Sequence, residues 1–378
     1  MSWDVIILGL GAMGSATAYH LAQRGKRVLG LEQFTAPHDQ GSSHGGSRII
    51  RQAYWEGAEY IPLVSRAFEL WRRLERDAKA DLLHITGGMV VGARDGELVP
   101  RTIAAARRYS IPIDVLDAKE TSRRFPAFAI TAGDAAVYEP GAGYLIPENC
   151  VQAHLGLAAR AGAELRFDEK VLTWTASDGG VEVVTSRGTY RGGHLVITAG
   201  PWANEAMTGL FPLRVTRQVM VWIEPRGGVD AFLPGRFPIY VAEDVRGGAP
   251  VYGFPAIDGP EGGVKAAIHG SDVVCTPATV DRVVRETDLQ RTIDAVKLRI
   301  PALEGRVVRA KTCLYTMTPD EHFVIGAHPQ FSCCTIACGF SGHGFKFASV
   351  VGELLADLAV DGATRHPIEL FSPGRFVG

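Results

Sequence analysis

Gly9, Gly11 and Gly14 complete a GxGxxG turn, and the carboxylate of Glu32 follows a short helix and strand later. In such a turn the first glycine makes the bend, the second lets the backbone approach a pyrophosphate, and the third lets helix and strand pack closely. A helix starting there presents free N–H groups and a positive dipole end to phosphate. Glu32 stands where an acid accepts hydrogen bonds from an adenosine ribose, which favours a ribose without a 2′-phosphate. A polar loop comes next, Gly41 to Arg48, carrying His44 and followed by Arg51. So close behind a dinucleotide turn, these groups are expected at the redox end of a cofactor, with arginine binding an anion through its planar fork. A second glycine turn, Gly339 to Lys346, lies at the far end of the chain. A cofactor long enough to thread back to it is FAD. Lys346 there opposes the dipole of the helix it opens, a local cost that points to a functional reason.

The elements that position these groups are legible in outline. Val5 to Leu8 is an apolar run of the kind shown by a strand buried on both faces. Ser15 to Arg24 reads as a helix stopped at Gly25, and Val28 to Leu31 as the next strand. Spacing predicts helices over Glu59–Asp77, Val151–Ala161, Asp281–Leu298 and Phe347–Ala359. Val181 to Val184 and His194 to Thr198 read as strands. The second runs into Ala199, Gly200, Pro201 and Trp202, a glycine at a strand tip where backbone could approach a ligand. Residues 213–275, rich in β-branched and aromatic types with Gly and Pro breaks, read as an antiparallel sheet flooring a substrate pocket.

With 378 residues the chain exceeds a single core, so two domains are expected. The fold class is α/β: a Rossmann-type FAD-binding domain from residues 1–83, 145–212 and 313–378, and an α+β substrate domain from 84–144 and 213–312 built on a mostly antiparallel sheet. Hydrophobic content of 46% and a net charge of −2 give no reason to expect nucleic acid or a membrane as partner. The N-terminal apolar run lacks a basic lead and is explained as a strand, not a signal peptide. The six cysteines contain no CxxC, so reduced thiols and a cytoplasmic location are expected. The cluster Cys333, Cys334, Cys338 with His328 lacks zinc spacing and reads as small hydrophobes in a strand, so no metal is expected.

Nearly the whole chain resembles the monomeric sarcosine oxidase family of flavoproteins, which includes N-methyltryptophan oxidase. The resemblance rests on Ser43-His44-Gly45, Arg48-Ile49-Ile50-Arg51, Tyr252-Gly253-Phe254-Pro255, Cys313-Leu314-Tyr315-Thr316, Pro319-Asp320-Glu321-His322-Phe323 and Gly342-His343-Gly344-Phe345-Lys346. It implies FAD attached through Cys313, with Arg51 and Lys346 on the substrate carboxylate and His44 and Arg48 against the flavin ring. Tyr252, Tyr315, Thr316 and His269 are implied as pocket lining, and Lys265 as the group near flavin N5 that serves oxygen reduction. Around FAD the implied contacts include Gly9, Gly11, Ala12, Met13, Gly14, Glu32, Gln33, Ser42, Ser43, Val171, Ala199, Gly200, Trp202 and the turn Gly342–Lys346. The catalytic set is then Lys265, His269, Arg48 and His44.

Four positions depart from the family pattern: Gly46-Ser47 for Asp-Thr, Trp55 for glycine, and Val241, in the substrate-binding set, for the methionine of sarcosine oxidases. Two extra residues also lie between Tyr252 and Lys265. The expected activity is oxidation of a secondary amino acid such as sarcosine, giving aldehyde, primary amino acid and hydrogen peroxide, by a monomer whose partners are the amine and dioxygen. A flavin dehydrogenase with a non-oxygen acceptor, an N-methyltryptophan or cyclic imino acid oxidase, and a dinucleotide-binding sensor without turnover are the rival readings.

Overall fold

The computed structural model describes residues 2–177 and 179–376. Its organising strand is Trp3–Leu8, which lies between Val28–Leu31 and Thr189–Ile197 and runs parallel to both. Val5, Ile6 and Ile7 are buried on both faces, which is why this strand shows an apolar run instead of an alternation. Glu164–Arg166 adds a parallel strand on one side. On the other, Thr189–Ile197 pairs at its end with Cys334–Cys338 in parallel. Val171–Ser177 and Gly180–Thr185 form an antiparallel extension, and Val324–Ala327 completes the eight-stranded sheet.

The helices Ala12–Gln23, Pro147–Arg160 and Ala348–Asp361 cover one face of this sheet and share its largest apolar core. A Cβ on Gly352 would come within 2.5 Å of Ala16, so only a glycine allows the last helix to lie this close to the first. That contact brings the C-terminal glycine turn to the N-terminal one.

The second sheet has nine strands, drawn from residues 88–139 and 214–317. It is antiparallel except where Ile239–Ala242 runs parallel to Gly88–Ala93. Its longest pairing joins Arg214–Ile223 to Val307–Met317, which carries Cys313 opposite Gln218. That strand crosses the expected boundary between residues 312 and 313. A small third sheet, Arg48–Ile50 with Gly143–Leu145 and Leu83–Ile85, ties the loop after the first glycine turn to the chain on either side of the second lobe.

Several element ends differ from the sequence reading, each for a local reason. The first helix starts at Ala12, inside the glycine motif, so Gly14 belongs to its first turn. The helix expected from Val151 starts at Pro147, because proline fits the first helical turn where its missing N–H is not needed. The helix expected from Asp281 starts only at Glu286. Arg217 holds the preceding segment extended by donating to Asp281 O, Val283 O and the Asp288 carboxylate. The helix expected from Glu59 begins as a 3-10 turn at Ala58–Tyr60 and becomes α-helical over Ile61–Ala78. Cys334 and Cys338 are buried in the first sheet as small apolar residues. Among the described residues no cluster of three or more His, Cys, Asp or Glu is placed to hold a metal ion. None of the described helices is long and apolar enough to cross a membrane.

Candidate active site

A cavity of about 970 Å³ runs between the two glycine turns. Gly9, Gly11, Ala12 and Met13 form its floor, with Glu32, Gln33, Ser42 and Ser43 beside them. Val171, Ala199, Gly200 and Trp202 line it further out, while Arg48, Tyr315, Thr316, Gly342, Gly344 and Phe345 line it toward the second lobe. Gly9 has φ +89°, and a Cβ there would lie 2.6 Å from Thr198 O. Gly14 does not line the cavity. A Cβ on it would fall 1.8 Å from Gly9 O, so its role is the tight packing that holds the turn open. Glu32 accepts hydrogen bonds from Leu10 N at 2.8 Å and Phe34 N at 3.2 Å, which fixes its carboxylate beside the cavity floor. Ala12 N donates to Ser43 Oγ at 3.2 Å, pinning the polar loop to the start of the helix.

At the inner end of this loop His44 is buried, and neither ring nitrogen has a hydrogen-bond partner. Burial, and then the nearby Arg48 cation, push its imidazole down to about 3, so it is neutral near pH 7. Buried polar atoms without partners are uncommon and call for an explanation. The flavin ring of FAD, which carries both donors and acceptors, would supply partners to a residue next to Ser43 of the cavity wall. The glycine cradle, the placed carboxylate and the length of the cavity fit the rest of that cofactor.

Arg48 is held by Ser42 O and Ser47 O, both at 2.8 Å, and its Nη2 lies 3.6 Å from Cys313 Sγ. An attachment made through a thiolate would need a positive group at such a place. Tyr252 and Tyr315 approach with their hydroxyls 3.5 Å apart. The His269 ring packs against both, at 6.0 and 5.7 Å. Burial pushes His269 down to about 4, so it too is neutral near pH 7.

Lys265 is buried in the second sheet despite the nearby insertion. Its Nζ donates to Gly45 O at 2.7 Å, Ser47 O at 2.9 Å and Ser47 Oγ at 3.1 Å. Those three acceptors match the three donors of an ammonium. The faces of Phe254 and Trp222, 4.8 and 5.3 Å away, also favour a cation. Burial and then Arg48 push this amine well below an ordinary lysine, and the acceptors and ring faces work against that push. Gly46 has φ +76° with open space around it, a left-handed conformation that glycine adopts without strain.

The third cluster contains a residue the sequence reading missed. Arg51 Nη2 is 2.6 Å from Glu56 Oε2, and Arg51 also donates to Ala53 O. Lys346 Nζ donates to His343 O at 2.8 Å and Tyr54 OH at 3.3 Å. Burial alone would raise the Glu56 carboxyl, but Arg51, His343 and Lys346 outweigh it and hold it below the usual carboxylate range. Burial pushes Lys346 down to about 7; Glu56 acts the other way, and Arg51 adds to the depression. The His343 side chain bonds Tyr54 OH at 2.7 Å and Glu321 O at 3.0 Å, so it supports this cluster. Val241 lies across from Tyr252 and shares an apolar cluster with Ile49, Trp55 and Tyr252.

Two more carboxylates went unnoticed in the sequence. Glu139 accepts from Gln52 N and Ala53 N at 2.8 and 2.9 Å, and Glu148 accepts from Gly45 N at 2.6 Å. They grip the site loop on either side of the Arg48–Ile50 strand. An acid directly after Pro147, in a helix's first turn, was the available signal for Glu148.

Residues 4–358 match the family described as FAD dependent oxidoreductase. A monomeric sarcosine oxidase of Streptomyces avermitilis is 50% identical over 99% of this chain and 98% of its own length. An N-methyl-L-tryptophan oxidase of Yersinia pestis is 32% identical, with both chains covered in full. Among solved structures, the open form of NikD, described as an unusual amino acid oxidase essential for nikkomycin biosynthesis, superposes with a TM-score of 0.85. It is 26% identical and covers 98% of this chain and 97% of its own.

Proposed function

The chain belongs to the FAD dependent oxidoreductase family, and from that premise we propose that it oxidises N-methyl amino acids, with sarcosine as the reference substrate and dioxygen as electron acceptor. When bound, FAD would supply the redox chemistry: a two-electron, two-proton oxidation of the CH–NH unit to an imine, matched by the two-electron, two-proton reduction of dioxygen to hydrogen peroxide. The imine left behind is hydrolysed by water to aldehyde and primary amino acid.

The observation that carries this reading is the buried pair of cations gathered around one carboxylate. Arg51 and Lys346 orient a substrate carboxylate, and the Tyr252, Tyr315 and His269 walls leave the amine one direction in which to point, a gain in proximity and orientation. A neutral His269 offers no charge to repel the amine. Glu32, the glycine turn, Ser42 and Ser43 would hold the dinucleotide, and Cys313 would be its covalent anchor. Lys265, held by Gly45 and Ser47 of the loop, serves the step with dioxygen. We also propose that the protein works as a monomer in the cytoplasm, where its six thiols stay unpaired. The lobe of the first sheet is assigned to FAD and that of the second to substrate.

The test is anaerobic addition of sarcosine to the yellow holoprotein. Bleaching of the flavin absorbance, followed on admission of air by recovery and one equivalent of peroxide, is the expected result. Bleaching without peroxide on reoxidation assigns the protein to the dehydrogenases, and no bleaching with any N-methyl amino acid overturns the reading.

A further inference from the structure

We propose that Glu148 is a positioning residue for Lys265, joined to it as an ion pair bridged by the Gly45–Gly46 peptide. The N–H of that peptide, on Gly46, donates to Glu148 Oε1 at 3.2 Å and Oε2 at 3.3 Å. Its carbonyl, Gly45 O, accepts from Lys265 Nζ at 2.7 Å. In a trans peptide the N–H and C=O point in opposite directions. A carboxylate at one end and an ammonium at the other therefore polarise it in the same sense, and each bond strengthens its neighbour. Gly45 N adds a second contact to the same carboxylate, at 2.6 Å.

The backbone is built for this arrangement. Gly45 and Gly46 have φ +96° and +76°, which turns two successive N–H groups toward one anion. A Cβ on Gly45 would meet only the flexible end of Met220, so it is the positive φ that calls for glycine here. Glu148 sits in the first turn of the helix Pro147–Arg160, where the dipole favours a negative charge.

The charges around Lys265 make Glu148 more than a loop anchor. Arg48 and Arg309 oppose a cation at Lys265, while Glu148 and the Cys313 sulfur support one; His44 is neutral. A cysteine bound as thioether carries no charge, which leaves Glu148 as the supporting one. The inference rests on the reading that Lys265 serves the dioxygen step.

The experiment uses holoenzymes carrying Glu148→Gln, Glu148→Asp and Lys265→Met. Three readouts are taken: the rates of anaerobic reduction by sarcosine, the rates of reoxidation across pH, and deuterium exchange in the segment 42–50. A misplaced catalytic group costs up to about a hundredfold. Glu148→Gln should therefore slow reoxidation about ten- to a hundredfold, with reduction within about twofold of wild type. The pH at which reoxidation falls off should move down by about one unit, because a supporting charge is lost, and exchange in the segment should rise. Glu148→Asp, which keeps the charge with a shorter reach, should give intermediate values, and it carries the test if the glutamine variant does not fold. If Lys265→Met slows reoxidation while neither Glu148 variant changes its rate or pH profile, the proposal fails and the reading of Lys265 stands. If Lys265→Met leaves reoxidation unchanged, the reading fails and the proposal with it.

Discussion

Arg51 Nη2 and Glu56 Oε2 lie 2.6 Å apart in a buried site, so a side chain of the protein already occupies one of the two cations expected to hold a substrate carboxylate. A carboxylate ligand that binds Arg51 competes with Glu56. Removing one partner of a buried ion pair leaves an uncompensated charge and costs about 3–5 kcal/mol. Glu56→Gln should therefore lower the ligand-free melting temperature by several degrees. Acetate should bind the variant roughly tenfold or more tightly, in line with the worth of a hydrogen bond to a charged group, and should restore much of the lost stability by mass action. Thermal melts with and without acetate measure both effects; an unchanged melt and an unchanged acetate affinity would contradict the internal competition.

Lys346 gives the site a pH dependence whose sign follows from its surroundings. Burial pushes its ammonium down to about 7. Below that pH the site holds two cations, and above it only Arg51. An incoming carboxylate favours the charged form, so its binding above pH 7 must take up a proton. The dissociation constant of acetate, followed by the flavin spectrum, should rise about tenfold per pH unit from 7 upward. Acetate isolates this effect because it has no amine to titrate. The other groups facing the site do not add to the slope: Glu56 is held low, and His269 and His343 sit at about 4 and about 3. Lys346→Met should flatten the slope and weaken binding by roughly 1.5–3 kcal/mol, the worth of a charge-assisted contact. Stability has its own sign: with the folded value below the unfolded one, folding gains as pH rises from about 7 toward the ordinary lysine range. A pH-independent acetate affinity in the wild type would count against this account.

Much of this site was readable in the chain because its signals are local. GxGxxG between a strand and a helix needs only neighbouring residues to be recognised, and Gly9 and Gly14 fill the mechanical jobs their spacing implied. The antiparallel second sheet was legible from its β-branched and aromatic content. Glu56, Glu139 and Glu148 were not legible, because each acts through contacts that appear only on folding. Glu148 reaches a loop about a hundred residues away in sequence, and Glu56 looks like one more polar residue in a loop. Helix starts failed where a distant side chain overrode local propensity, as Arg217 does over Asp281 to Arg285.

Covalent attachment makes a plain expectation. Cys313 is buried, faces Arg48 Nη2 at 3.6 Å, and lies next to Leu314 and Tyr315 of the cavity wall. Acid precipitation of the wild type should carry the yellow colour into the pellet. Cys313→Ala should release it to the supernatant, while Arg48→Lys, which loses the planar fork, should lower the fraction attached. Free FAD recovered quantitatively from the acid-treated wild type would rule out the link.

The choice of amine should be set by the apolar corner of Val241, Tyr252, Ile49 and Trp55. Val241 faces Tyr252 across adjacent strands and is only 8% exposed, so a larger side chain there has to press toward Tyr252 and its neighbours. A methionine there would extend the side chain in that direction. In hydrophobic pockets one methylene changes discrimination by about 1–3 kcal/mol, or roughly 10–200-fold. Val241→Met should therefore lower kcat/KM for N-methylalanine at least about tenfold relative to sarcosine. Sarcosine, with no side chain to place, should change by no more than about twofold. Trp55 closes the same corner from the loop. Trp55→Gly should open it, raising turnover of N-methyl amino acids with large side chains at some cost in stability from the lost packing. A panel of N-methyl amino acids on both variants decides the matter. If Val241→Met reduces sarcosine and N-methylalanine turnover equally, this corner does not receive the substrate side chain.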